Sequence, residues 1–133
     1  MLTYGDGVSN VDLNALLKEH KRGEKTVTVT AIQPQGRFGA LEFDSNGSVT
    51  AFNEKGKSQY INAGFMVCEP KLFDYLGENE PLEFAPFEAI VEDGGMGVYK
   101  HNGFWKCMDT LNDMKQLEGI WKSGNVPWKI WED

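Results

Sequence analysis

The stretch Thr26-Val-Thr-Val-Thr-Ala-Ile32 alternates polar and apolar residues through a β-branched run, the pattern of a β-strand. Pro34-Gln-Gly36 breaks it. Upstream, Leu13, Leu16 and Leu17 recur at helical spacing; Lys21-Arg-Gly23 closes that helix and Ser9 or Asn10 is available to cap it. Before the helix, Leu2-Thr-Tyr4 reads as a short buried strand ending on Gly5-Asp-Gly7. Strand, helix and strand in that order imply a parallel sheet, whose strands are covered on both faces. An apolar strand at the start of such a unit becomes an exposed edge, a liability that proteins normally cover.

Working downstream, Arg37-Phe-Gly-Ala-Leu-Glu-Phe43 and Ser48-Val-Thr-Ala-Phe-Asn53 form a hairpin around the turn sequence Asp44-Ser-Asn-Gly47. Tyr60-Ile-Asn-Ala-Gly-Phe-Met-Val-Cys68 is nearly all apolar and reads as a central strand. Pro70 suits the first turn of a short helix through Leu76, and a second helix covers about Pro86 to Glu92, ended by Gly94-Gly95. Strands follow at Gly97-Val-Tyr-Lys-His101 and Gly103-Phe-Trp-Lys-Cys-Met108. Thr110 caps a last helix with Leu111, Met114, Leu117 and Trp121 along one apolar face. The expectation is one α/β domain over residues 1–133, a mixed, mainly parallel sheet with flanking helices.

The composition narrows the function. A chain of 133 residues can bury on the order of two-thirds of its unfolded surface. Its net charge of −7 argues against a nucleic-acid partner but not against a nucleotide held by a few donors and a cation. Cys68 and Cys107 read as free thiols in a reducing, cytoplasmic setting. There is no N-terminal basic-then-apolar signal, and no apolar run long enough to span a membrane.

The candidate chemistry sits on carboxylates at strand ends. Asp6, in Tyr-Gly-Asp-Gly, either makes an Asx turn or offers a hard cation to a phosphorylated ligand. Asp109, in Cys-Met-Asp-Thr, either caps the last helix or joins Asp6. Both preceding helices at strand tips favours a shared magnesium, which takes one or two carboxylates and completes its shell with water and phosphate. Phe38-Gly39 can wall a sugar, though a core phenylalanine beside a strand-entry glycine is the commoner arrangement. Glu54 and Lys55 face opposite ways and could meet a hydroxyl and a phosphate; a solvated pair is commoner. Asn62 interrupts an apolar strand, so its amide needs a partner, protein or ligand. His20 and His101 look like surface residues at element ends, with no pattern for nucleophilic catalysis.

These motifs occur in an order that resembles one family. Leu-Thr-Tyr-Gly-Asp-Gly-Val-Ser, Gly36-Arg-Phe-Gly-Ala-Leu41, Phe-Asn-Glu-Lys55, Ile61-Asn-Ala-Gly-Phe65, Gly103-Phe-Trp105, Met-Asp-Thr-Leu111 and Pro127-Trp-Lys-Ile-Trp-Glu132 are similar, over nearly the whole chain, to the glucose-1-phosphate cytidylyltransferases. These are sugar nucleotidyltransferases with a Rossmann-like core. The resemblance implies CDP-glucose and pyrophosphate made from CTP and glucose 1-phosphate with Mg2+. It matches Asp6 and Asp109 to the metal-binding aspartates, and Phe38, Gly39, Glu54, Lys55 and Asn62 to segments lining the sugar-phosphate pocket. Two positions depart from the pattern: Gly56 follows Lys55 where proline is usual, and Ala85 stands where an acid is usual.

A larger departure is that no Gly-Gly-x-Gly-Thr-Arg-like segment occurs, the loop with which the family cradles the triphosphate. The chain is therefore expected to be the C-terminal part of such an enzyme, inactive alone. Its partners would be a weakly held sugar phosphate and either a second copy or a complementing N-terminal half. In the family fold Leu2-Thr-Tyr4 and residues 26–32 lie inside the sheet, so both are expected to be left bare and to drive dimerisation. A non-enzymatic module that self-associates is the alternative. A metal-dependent glycosyltransferase is disfavoured by the lack of Asp-x-Asp.

Overall fold

The computed structural model describes residues 1–34, 40–53 and 60–132. Its strands are β1 (Leu2–Thr3), β2 (Gly7–Ser9), β3 (Val27–Ile32), β4 (Ala40–Phe43), β5 (Val49–Asn53), β6 (Ile61–Cys68), β7 (Met96–Lys100) and β8 (Trp105–Cys107). The helices are α1 (Leu13–Gly23), α2 (Ala85–Glu92) and α3 (Leu111–Ser123), with a 3-10 helix at Pro70–Tyr75.

The alternating segment became β3, inside a four-stranded sheet of order β1-β6-β3-β7. It runs parallel to β7, with Val27 opposite Met96 and Ala31 opposite Lys100. Its other neighbour, β6, is antiparallel, with Val27 opposite Cys68 and Ile32 opposite Ile61. β1 pairs antiparallel with the far side of β6, Leu2 opposite Met66. Thus β1, β3 and β7 share one direction and β6 opposes them, which makes the sheet mixed. The reading of residues 26–32 as a bare strand is corrected: β3 is paired on both sides and covered on both faces. Only β1 keeps the edge position expected for it, and it is two residues long. Short edges are one way of limiting unwanted pairing.

Successive side chains of β3 point to opposite faces. Val27 packs with Met66, Leu72 and Ile90, so the 3-10 helix and α2 cover one face. Thr28 points to the other, where the His20 ring of α1 lies 2.8 Å from its hydroxyl through Nδ1. His20 was expected at the surface. It is instead 2% exposed, its Nε2 lying 2.9 Å from Glu69 Oε1, because Leu16 and His20 are four apart on the helix face that meets the sheet.

The caps explain where helices begin. α1 is capped by Asp12, whose carboxylate accepts from Ala15 N at 2.9 Å. Ser9 and Asn10 are engaged elsewhere: Ser9 ends β2 and Asn10 Oδ1 accepts from Phe104 N at 2.8 Å. α3 carries the expected Thr110 cap, reinforced by Asp113 in a reciprocal capping box. Its apolar face is only partly covered, with Leu111 and Trp121 exposed. Trp128 stacks on Phe104 at 5.5 Å and on Trp121 at 6.5 Å. The β4–β5 hairpin forms as expected around a turn in which Asp44 Oδ1 accepts from Asn46 N and Ser48 N.

Candidate functional site

β2 and β8 form a separate antiparallel ribbon, with Gly7 opposite Cys107 and Ser9 opposite Trp105. Gly7-Val-Ser9 carries no strand signal of its own and becomes one only against β8. The pairing continues one step beyond β2, where Met108 N donates to Asp6 O at 2.8 Å. Asp6 therefore stands across from Met108, and Asp109 is the next residue along. The two aspartates singled out by the sequence are brought to one end of one ribbon, both exposed.

Each local alternative can be judged from its bonds. Asp6 does not cap α1, since Asp12 does. Asp109 does not cap α3, since Thr110 does; its backbone N–H donates to the buried Asp113 carboxylate at 3.3 Å. Asp113 also accepts from Thr110 N at 3.0 Å and from Lys106 Nζ at 3.3 Å. Nothing in the sequence reading had singled out Asp113, although a Thr with an acid three residues later is a recognisable start signal. The Cys107 thiol donates to Asp109 Oδ2 at 3.1 Å. Burial, followed by this bond and the Asp109 charge, raises the Cys107 pKa above its ordinary value.

Exposed carboxylate oxygens on adjoining strand ends suit a hard cation that retains water and phosphate ligands. They do not build a closed cage: among the described residues no group of three or more His, Cys, Asp and Glu side chains is disposed to hold a metal.

Asn62 spends its amide on the protein. Oδ1 accepts from Gly64 N at 2.9 Å and Nδ2 donates to Tyr4 Oη at 3.2 Å. The Tyr4 hydroxyl also bonds Glu83; burial first, then that bond, raise its pKa, and the same bond lowers that of Glu83. Phe38, Gly39, Glu54 and Lys55 lie outside the described residues.

Beside the ribbon a cavity of about 600 Å³ opens at the C-terminal end of β3, bounded by residues 32–34, by the turn at 101–104 and by β8 as far as Cys107. That size suits a small-molecule ligand, and open α/β sheets bind ligands beyond the C-terminal ends of their strands. His101, expected to be a plain surface residue, lines it; its Nε2 lies 3.2 Å from Ser9 Oγ and 3.1 Å from Phe104 O. This is no nucleophile pair. Ser9 Oγ donates to Phe104 O at 2.7 Å and accepts from Val11 N at 3.2 Å, so the hydroxyl fastens the turn.

The chain is 42% identical to glucose-1-phosphate cytidylyltransferase of Salmonella typhi, over 99% of this chain and 52% of that protein. It is 30% identical to mannose-1-phosphate guanylyltransferase of Mycobacterium tuberculosis, over 85% of this chain and 34% of that protein. The chain thus spans about half the length, or less, of the curated relatives it matches. Among solved structures, HddC of Yersinia pseudotuberculosis superposes with a TM-score of 0.56 at 17% identity, over 84% of this chain and 50% of that one, a likeness of fold. The model of the nucleotidyl transferase family matches residues 1–117, and the chain belongs to that family.

Proposed function

We propose that these residues form the sugar-phosphate and cation part of a glucose-1-phosphate cytidylyltransferase. The observation that carries this reading is that the β2–β8 pairing brings Asp6 and Asp109 to one ribbon end, while β8 itself lines the cavity. In the full reaction an oxygen of the sugar phosphate attacks the α-phosphate of CTP, and pyrophosphate leaves. Mg2+, when bound, neutralises phosphate charge. Asp6 and Asp109 would hold it, and Phe38, Gly39, Glu54 and Lys55 would orient the sugar phosphate. The contribution of these residues is positioning and electrostatics rather than covalent chemistry.

The 133 residues alone contain no glycine-rich cradle for a triphosphate, so CTP turnover requires donors they do not provide. A second copy or a complementing N-terminal half would be the partner, in a cytoplasmic setting. The purified chain is expected to make no CDP-glucose from CTP, glucose 1-phosphate and Mg2+, while glucose 1-phosphate with Mg2+ shifts the Asn62 amide NMR signals and Asp109→Ala weakens the Mg2+ effect. Flat titrations for both proteins would remove the reading; turnover of about one per second or faster would show the chain to be complete as an enzyme.

A second reading, a self-associating module without activity, is favoured by the exposed apolar side chains Phe73, Phe84, Val91, Ile130 and Trp131. A monomer in light scattering at micromolar concentration would dispose of it. No described helix is long and apolar enough to cross a membrane.

A further inference from the structure

β3 and β6 fall out of step between Val29 and Ala31: Val29 faces Met66, but Ala31 faces Asn62. The surplus residues of β6 form a bulge, made possible by Gly64 at φ +80°. A Cβ on Gly64 would stand 2.7 Å from Tyr4 Cδ2, so the Tyr4 ring lies directly on it. Two successive carbonyls of the bulge are then used outside the β3 ladder. Ala63 O accepts the Trp105 indole N–H at 2.9 Å, and Gly64 O accepts Tyr4 N at 2.9 Å. Asn62 closes the figure, its Oδ1 on Gly64 N and its Nδ2 on the Tyr4 hydroxyl.

Each residue tied to the bulge leads directly to a carboxylate. Tyr4 is followed by Gly5-Asp6, and Trp105 opens the strand that runs to Met108-Asp109. We infer that Asn62 is a positioning residue: its amide sets the shape of the bulge, and the bulge sets the spacing of the strand ends that carry Asp6 and Asp109. The inference rests on the reading of those two aspartates as cation ligands. It gives Asn62 a task in addition to the sugar-phosphate contact that the resemblance implies. Partners that orient metal-binding groups commonly govern affinity although they never touch the ion.

The test uses Mn2+ alone as the probe, followed by EPR on the whole chain, with circular dichroism to show that each variant is folded. Asp109→Asn should weaken Mn2+ binding, and Asn62→Ala should weaken it about tenfold with both carboxylates intact. Trp105→Phe, which removes the indole N–H from Ala63 O together with part of the ring, should weaken it in the same direction. The Asn62→Ala, Trp105→Phe double variant should lose less than the product of the single losses, because both act through one bulge. If Asn62→Ala does not fold, Trp105→Phe alone decides: unchanged Mn2+ affinity overturns the inference. A loss in Asp109→Asn with wild-type affinity in Asn62→Ala also overturns it while sparing the cation reading. Wild-type protein that fails to bind Mn2+, or Asp109→Asn that binds as wild type, removes both.

Discussion

The sheet body and the β2–β8 ribbon are held by different physics. In the body, Val27, Met66, Leu72 and Ile90 are almost wholly removed from water and pack between strands and helices. In the ribbon and the start of α3, the fastenings are polar: the Trp105 indole on Ala63 O, Asn10 on Phe104 N, and Asp113 among Thr110, Asp109 and Lys106. Apolar packing is tolerant of small shifts as long as volume is kept. Hydrogen bonds to carboxylates and from indoles fix direction, which the proposed pair of cation ligands would need. The candidate site lies on the part of the molecule built for direction.

The sharpest way to break this comparison is to cut each region at its best-buried residue. Ile90→Ala, at a position with no exposure, should cost about 3 kcal/mol in urea unfolding through lost transfer energy and the cavity left behind. Asp113→Ala removes a cap and the partner of Lys106, and should cost about 2 kcal/mol. The decisive readout is Mn2+ binding by the folded proteins. Ile90→Ala should leave it near wild type and Asp113→Ala should weaken it. The reverse order would show that the core, not the polar fastening, sets the site.

A smaller effect reports on the contact between Cys107 and Asp109. Burial, and then the bond and charge of Asp109, push the thiol pKa above its ordinary value. A raised folded pKa means that its contribution to stability is present below the unfolded value and is lost as pH rises through the folded one. Asp109→Asn should lower the thiol pKa and speed alkylation of Cys107 near pH 8, read by peptide mass spectrometry, while Cys68 is unchanged. Equal rates at Cys107 in both proteins would mean that the thiol and carboxylate do not meet in solution.

What was legible in the sequence follows the same division. β3, the Asp44 hairpin, the Pro70 turn, α2 and the Thr110 cap each carry a local signal: alternation, a turn quartet, an N1 proline or a capping residue. That Asp6 and Asp109 both stand at strand ends was legible, but that β2 and β8 bring those ends together was not. The insertion of β6 between β1 and β3 was not, since pairing order is decided by contacts far apart in the chain. β2 escaped notice because three residues, Gly7-Val-Ser9, show no period and become a strand only against β8. His20 escaped because a histidine in a polar helix looks solvated until Thr28 and Glu69 are known to face it. The need of Asn62 for a partner was legible, but one partner, the hydroxyl of Tyr4, lies 58 residues away in the chain.

The Trp128 stack has an optical consequence. Its indole stacks with both Phe104 and Trp121, and the two indole centroids are 6.5 Å apart. Transition dipoles at that separation couple, so the pair should give the circular dichroism spectrum an exciton couplet that isolated tryptophans lack. Phe104 belongs to the turn that Asn10 and Ser9 fasten beside the cavity. A ligand that displaces this turn should change the couplet, and the protein thereby carries its own unlabelled gauge of events at the cavity wall.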